Sequence, residues 1–143
     1  MDTVPNTASG RCLCGDLRFD ARLPSKWMAH CHCSLCQRAH GAGVVTWVGF
    51  EAPQVRIHDP EGRLTWFEST PGAERGFCSH CGSTLFFRSQ KWAGELHIVR
   101  SNFDTALDRD ESPVAELDAA AKRALWVFEA MDYCRHRYGQ AAV

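Results

Sequence analysis

The chain has 143 residues, 45% of them hydrophobic and 23% charged, with a formal net charge of −1. That composition suits one globular domain with its own core and excludes a disordered chain. Sixteen basic and seventeen acidic residues are spread evenly, so no basic run points to nucleic acid or an anionic membrane surface.

Met1–Asn6 contains no apolar stretch of the kind a signal peptide needs. The longest apolar patch, residues 43–50, is far short of the roughly 20 residues of a membrane span. A cytoplasmic protein is expected, with no membrane partner. Residues 1–9 read as a flexible N-terminal arm and 10–143 as a single domain.

After Arg11, Leu13, Leu17 and Phe19 alternate imperfectly with polar residues, as in a short strand. Leu35 to His40 reads as a short helix stopped by Gly41. Val44–Phe50 is rich in β-branched and aromatic residues and predicts a buried strand. Val55–His58 and Leu64–Phe67 predict two more, and Asp59-Pro60-Glu61-Gly62 between them predicts a hairpin. Thr84–Arg88 and Glu95–Arg100 complete the strands, with a turn near Gly94. Between Pro113 and Tyr138, Ala119–Leu125 has helix-forming composition.

Seven of the eight cysteines fall into three groups: Cys12 and Cys14; Cys31, Cys33 and Cys36; and Cys78 and Cys81. In a reducing compartment, cysteines at these spacings are metal ligands or redox groups rather than structural disulfides. Cys78-x-x-Cys81-Gly82 is a zinc-knuckle pattern: two thiolates on a tight turn that glycine lets close. In an extended stretch Cys12 and Cys14 face one side, with α-carbons about 6.7 Å apart. These four sulfurs predict a closed, structural zinc site. The alternatives are a redox Cys-x-x-Cys or unligated cysteines.

Cys31-x-Cys33-x-x-Cys36 places three sulfurs within six residues and leaves no cysteine pair to complete the set. Three protein ligands with one exchangeable position is the layout of a catalytic zinc. The alternative is a closed site whose fourth ligand is His30, His32, His40 or Cys134. Three thiolates on Zn²⁺ carry a formal −1, which weakens Lewis acidity and suits a soft incoming ligand, above all a substrate thiol. The expected chemistry is thiol capture and addition to a carbonyl.

The ordered set Gly10–Gly15, Cys31–Gly41 and Phe77–Ser83, followed by Thr84–Ser89 and Glu95–Asp104, resembles the glutathione-dependent formaldehyde-activating enzyme family, which includes the centromere protein V domain. The resemblance implies a mainly β, Mss4-like fold of several short coiled antiparallel sheets around two zinc sites. It implies two Zn²⁺ per chain: a structural one on Cys12, Cys14, Cys78 and Cys81, and a substrate-facing, catalytic one on Cys31, Cys33 and Cys36. The implied activity is carbon–sulfur lyase, in its named form S-(hydroxymethyl)glutathione synthase, with glutathione and formaldehyde as small-molecule partners. It also implies that Ala115–Ala121 is a strand despite its composition. Lys122–Val127 resembles a family element near the end of the chain, with Leu125 where proline is expected.

Arg38 and Arg100 are candidate carboxylate binders for a glutathione-like substrate, and solvated surface residues otherwise. His40 is a candidate acid or base. Trp27, Trp47, Trp66, Trp92 and Trp126 read as core. Two other functions use the same features: a thiol-binding zinc protein without turnover, and a zinc-ribbon adaptor. The balanced charge counts against the second.

Overall fold

Short apolar runs separated by turn residues build a mainly β chain, as the sequence predicts. The structure is a computed structural model that describes residues 6–110 and the backbone of a strand at 115–117. In chain order its elements are β1 (Thr7–Arg11), β2 (Arg18–Arg22), β3 (Trp27–Cys31), α1 (Ser34–His40), β4 (Val45–Glu51), β5 (Val55–His58), β6 (Leu64–Thr70), β7 (Ala73–Cys78), β8 (Thr84–Ser89), β9 (Glu95–Val99) and β10 (Ala115–Leu117). One sheet has the order β1-β2-β5 and the other β10-β3-β4-β9-β8-β7-β6. Neighbours are antiparallel except β10 and β3, which run parallel. Among the described residues no helix is long and apolar enough to cross a membrane.

The strand pleat sends alternate side chains of the larger sheet to opposite faces. One face carries Val48, Phe50, Phe86 and Ile98, which close onto Ala8, Phe19 and Ala21 of the smaller sheet. Phe19 lies at the junction, edge-on to Phe86 at 5.6 Å and to Phe103 at 4.9 Å. Burying each such ring contributes roughly 1.5–3 kcal/mol. The opposite face carries Trp27, Trp47, Phe87 and Val99 around Cys31, Cys33 and Cys36. The two sheet faces thus separate the main core from the three-cysteine group.

Several local expectations change. Thr7–Ser9, expected in the free arm, form the start of β1. Ala8 is fully buried, Ser9 Oγ donates to Asp20 at 2.6 Å, and the Asp104 amide donates to the Ser9 carbonyl at 2.8 Å. Tertiary partners on both edges turn a polar segment into a strand. The turn at Asp59–Gly62 is present, with the Asp59 carboxylate accepting from the Arg63 and Leu64 amides at 2.6 and 3.0 Å. The expected hairpin is not: β5 pairs with β2 in the small sheet, and β6 pairs with β7 in the large one. Ile57 packs opposite Phe19, so burial rather than proximity decides its partner.

β3 and β7 are strands that sequence reasoning missed. Neither Trp-Met-Ala-His-Cys nor Ala-Glu-Arg-Gly-Phe-Cys contains a β-branched residue, so packing alone makes them strands. The helix ends as expected: Gly41 adopts φ 60° and its N–H donates to the Gln37 carbonyl. Ala115–Leu117 is a strand, as the family resemblance implied, and Leu117 pairs with Cys31. The rest of 113–138, including Trp126 and Cys134, lies outside the described residues.

Gly10 is closely packed between the turn after β9 and Phe19 of its own sheet. A Cβ there would run into the Asn102 carbonyl oxygen and the Phe19 ring. Gly10→Ala is therefore expected to lower stability by about 1–3 kcal/mol, as overpacking does. Urea or thermal denaturation checks this, and an unchanged midpoint would show that the contact can relax freely.

Candidate metal centre

Two turns bring the first and third cysteine groups together. Cys12 follows β1, and a turn closes when the Gly15 amide donates to the Cys12 carbonyl at 3.2 Å, with Gly15 at φ 85°. Cys12 and Cys14 therefore converge through a turn rather than the extended stretch expected from their spacing. Cys78 ends β7, and the Gly82 amide donates to its carbonyl at 2.8 Å. The two turns are tied to each other where the Leu13 amide donates to Ser83 Oγ at 2.9 Å.

The Sγ atoms of Cys12, Cys14, Cys78 and Cys81 lie within 4.8 Å of one another. Cys12–Cys14 and Cys14–Cys78 are 3.5 and 3.8 Å apart. A tetrahedral zinc site with Zn–S of about 2.3 Å has sulfur–sulfur edges of about 3.8 Å, so the donor set fits that ion. Cys12 and Cys78 are buried, while Cys14 is exposed, which leaves this cluster open to water on one side.

The second group is built differently. Cys31 ends β3, Cys33 caps α1, and the Cys36 amide donates to Cys33 Sγ at 3.4 Å. Gln37 Nε2 donates to the carbonyls of His32 and Gly43, each at 3.1 Å, and braces this loop. Cys31 and Cys36 sulfurs are 3.5 Å apart, again a tetrahedral edge, and all three cysteines are buried. Among the described residues, no ring nitrogen of His30, His32 or His40 joins the three sulfurs within 4.8 Å. Cys134 lies outside the described residues.

Thiol acidities carry the mark of crowding. The Cys36 thiol is held well below the ordinary thiol range, first by hydrogen bonding with Cys31 and Cys33, then by the Arg75 charge. Cys31 is pushed up: a Cys33 hydrogen bond pulls it down, but Cys36 and burial outweigh that. In the four-sulfur cluster burial would raise Cys81, yet hydrogen bonds from Ser83 bring it down to about 5. Cys14, despite an Asp16 amide that lowers it, is pushed up to about 12 by desolvation and its three neighbouring cysteines. Each cluster thus holds one thiol low and pushes a neighbour up, Cys36 against Cys31 and Cys81 against Cys14 and Cys78, a repulsion that a cation at the centre would relieve.

Arg75 is the site residue that the sequence did not reveal. It is only 7% exposed, and its two terminal nitrogens each lie 3.7 Å from Cys36 Sγ. Its guanidinium sits 5.3 Å from the Phe87 ring centre, and Nε donates to Ser69 Oγ at 3.3 Å. No local signal in Ala73-Glu74-Arg75-Gly76 marks this arginine as buried.

His40 lies one helical turn after Cys36, on the same helix face. Its ring meets Trp47 edge-on at 5.3 Å, and burial lowers its pKa. Its Nε2 and the hydroxyl of Ser34 are buried with no hydrogen-bond partner among the described residues. A cleft of about 510 Å³ shares Val45 and Val99 with the packing around the cluster and also runs along Gly82 and Ser83, and none of the three cysteines lines it. His40 lines it, and so does Val45, which pairs with Cys31. Arg100 also borders the cleft, but both arms of its guanidinium are bound to Asp110 at 2.9 Å. Arg38 is exposed in the last turn of α1.

Residues 7–120 match the family described as glutathione-dependent formaldehyde-activating enzyme. The chain belongs to that family. A Halomonas elongata protein provisionally named as such an enzyme is 30% identical over 106 residues, covering 70% of this chain and 68% of that one. An uncharacterized lyase of Schizosaccharomyces pombe is 30% identical over 78 residues, or 54% of this chain and 55% of the relative. A crystal structure of a Rhodobacter sphaeroides protein superposes with a TM-score of 0.60 at 22% identity, over 76% of this chain and 98% of that one. This last likeness concerns the fold.

His97 completes the wall beside the cluster. It is 4% exposed, stacked on Phe87 at 5.7 Å, flanked by Trp27 and Trp92, and bonded to Glu95 at 3.1 Å. Burial lowers its pKa against the opposing pull of Glu95. In the unfolded chain histidine titrates near about 6.5, so on acidification the unfolded state takes up this proton first. The His97 contribution is thus present above that pH and lost as pH falls below it. The wild type is expected to lose more stability between about pH 7 and 5 than His97→Gln. Equal losses by chemical denaturation would show that His97 is not the source.

Proposed function

We propose that this chain is a zinc-dependent carbon–sulfur lyase acting on adducts of a glutathione-like thiol and a small aldehyde such as formaldehyde. In this reading Cys12, Cys14, Cys78 and Cys81 hold a structural zinc. Cys31, Cys33 and Cys36 hold a second zinc whose fourth position takes the substrate. The carrying observation is that three buried sulfurs converge and are faced by a buried arginine, with no fourth sulfur in the group among the described residues. Family membership and the names of the relatives support the reaction class.

Zinc on three thiolates would favour the thiolate form of an incoming thiol and hold its sulfur in place. The protein does the rest. The cleft has the volume of a small-molecule site, about 300–1,000 Å³, and receives the body of the thiol. In the synthetic direction the sulfur forms a bond to the aldehyde carbon as the carbonyl π-bond breaks. The thiol's proton passes to His40 Nε2 and from there to the new alkoxide oxygen, so the sum is thiol plus aldehyde giving the hydroxymethyl thioether. His40 suits this task because burial lowers its pKa and its buried Nε2 has no hydrogen-bond partner among the described residues. The buried aromatic wall of Trp47 and Phe87 limits water at the reacting atoms.

Elemental analysis is expected to find two zincs in the wild type and one in Cys33→Ala with the fold retained. The rate of adduct formation from formaldehyde and glutathione should fall to the uncatalysed level in that variant. Thiol binding without any rate increase in the wild type would instead make the protein a carrier. His40→Gln is expected to lower the rate by about 10²–10³, within the range of general acid–base catalysis, with the zinc content unchanged. A rate equal to wild type would remove His40 from the mechanism.

A further inference from the structure

Resting on that reading of the three-cysteine centre, we infer that Arg75 selects the charge of its fourth ligand, favouring an anionic sulfur over a neutral donor. Arginine is rarely buried without an answering negative charge, and it does not shed its proton in proteins. Arg75 is 7% exposed, and among the described residues no carboxylate pairs with it. Its polar partners are Cys36 Sγ, 3.7 Å from each terminal nitrogen, and the Ser69 hydroxyl. The charge it answers is therefore that of the sulfur cluster.

The comparison with the other cluster explains the need. Four thiolates around a dication carry a formal −2 there, and exposed Cys14 brings water to share the charge. Cys31, Cys33 and Cys36 are all buried, so water cannot do the same. Three thiolates and a dication leave −1, which Arg75 brings to zero. A thiolate added as fourth ligand leaves −1 instead of −2. A neutral ligand leaves the charge as it was, so Arg75 contributes little to holding it. When the thiol binds with no aldehyde present, the proton that His40 takes from it has no alkoxide to go to and passes on to the buffer, and any water in the fourth position leaves.

Position makes the effect a fixed one. Arg75 pairs with Phe87, Phe87 with His97, His97 with Gly49, and Gly49 with Trp27. These residues form one row across five strands on the cluster's face of the sheet. Phe87 lies beneath the guanidinium and Ser69 holds its inner nitrogen, so the charge cannot swing away.

Cobalt(II) tests this without relying on turnover, because its absorption reports each site's ligands. Wild type, Arg75→Gln and Arg75→Lys are loaded with cobalt and titrated separately with 2-mercaptoethanol, whose tail is uncharged, and with imidazole. The cobalt absorption of the four-cysteine site serves as an internal check of folding. Arg75→Gln is expected to bind the thiol at least about tenfold more weakly than wild type, with imidazole affinity changed by less than about threefold. Arg75→Lys should keep the wild-type preference for thiol over imidazole. Equal thiol affinity in Arg75→Gln, or parallel loss of both ligands, overturns the inference. Loss of the preference in Arg75→Lys overturns it as well, even should Arg75→Gln fail to fold. A wild type whose spectrum responds to neither ligand defeats the open-centre reading on which the inference rests.

Discussion

Seven thiols gathered into two small volumes cannot all ionise without a positive charge among them. Everything functional in this chain depends on how that repulsion is met. The two clusters meet it in different ways. The four-sulfur cluster sits on exposed turns and shares its charge with water through Cys14. The three-sulfur cluster is buried among aromatic rings and faces the guanidinium of Arg75. A closed, solvated group suits a structural ion. A buried, compensated group suits an ion that exchanges a ligand.

The fold makes this difference possible by giving the large sheet two separate jobs. One pleat face carries Val48, Phe50, Phe86 and Ile98 into the main core, where they meet Phe19 from the small sheet. The other carries Trp27, Phe87, His97 and Arg75 toward the three-cysteine group. Stability and chemistry therefore draw on opposite faces of the same strands. The long closure from Cys12 to Cys81 holds the small sheet to the end of β7. That strand also presents Arg75, so the first cluster braces the element that serves the second.

Much of the site was legible because spacing is local chemistry. A Cys-x-x-Cys followed by glycine closes a turn, and Cys33-x-x-Cys36 sits where a helix cap begins. Both groups follow from a few bond lengths and dihedrals. Strands such as Val45–Glu51 and Val55–His58 were equally plain, since β-branched and aromatic residues announce them. Harder to read were Trp27–Cys31 and Ala73–Cys78, which hold one aromatic each and no β-branched residue. The β5–β6 hairpin misled as well: the turn residues are real, but Ile57 finds its buried partner in β2.

The sequence by itself determined which cysteines group together, four and three, the mainly β class and the family. Those properties need only short-range spacing and residue chemistry. Tertiary structure alone decided which groups surround each sulfur cluster. Arg75 lies 39 residues from Cys36 and reaches it because β7 and β3 belong to one sheet. His40 is near in sequence, yet its burial comes from Trp47 on β4 and from the packing around the helix. Charge compensation acts through space, over a few ångströms and in low dielectric, and no spacing along the chain encodes it.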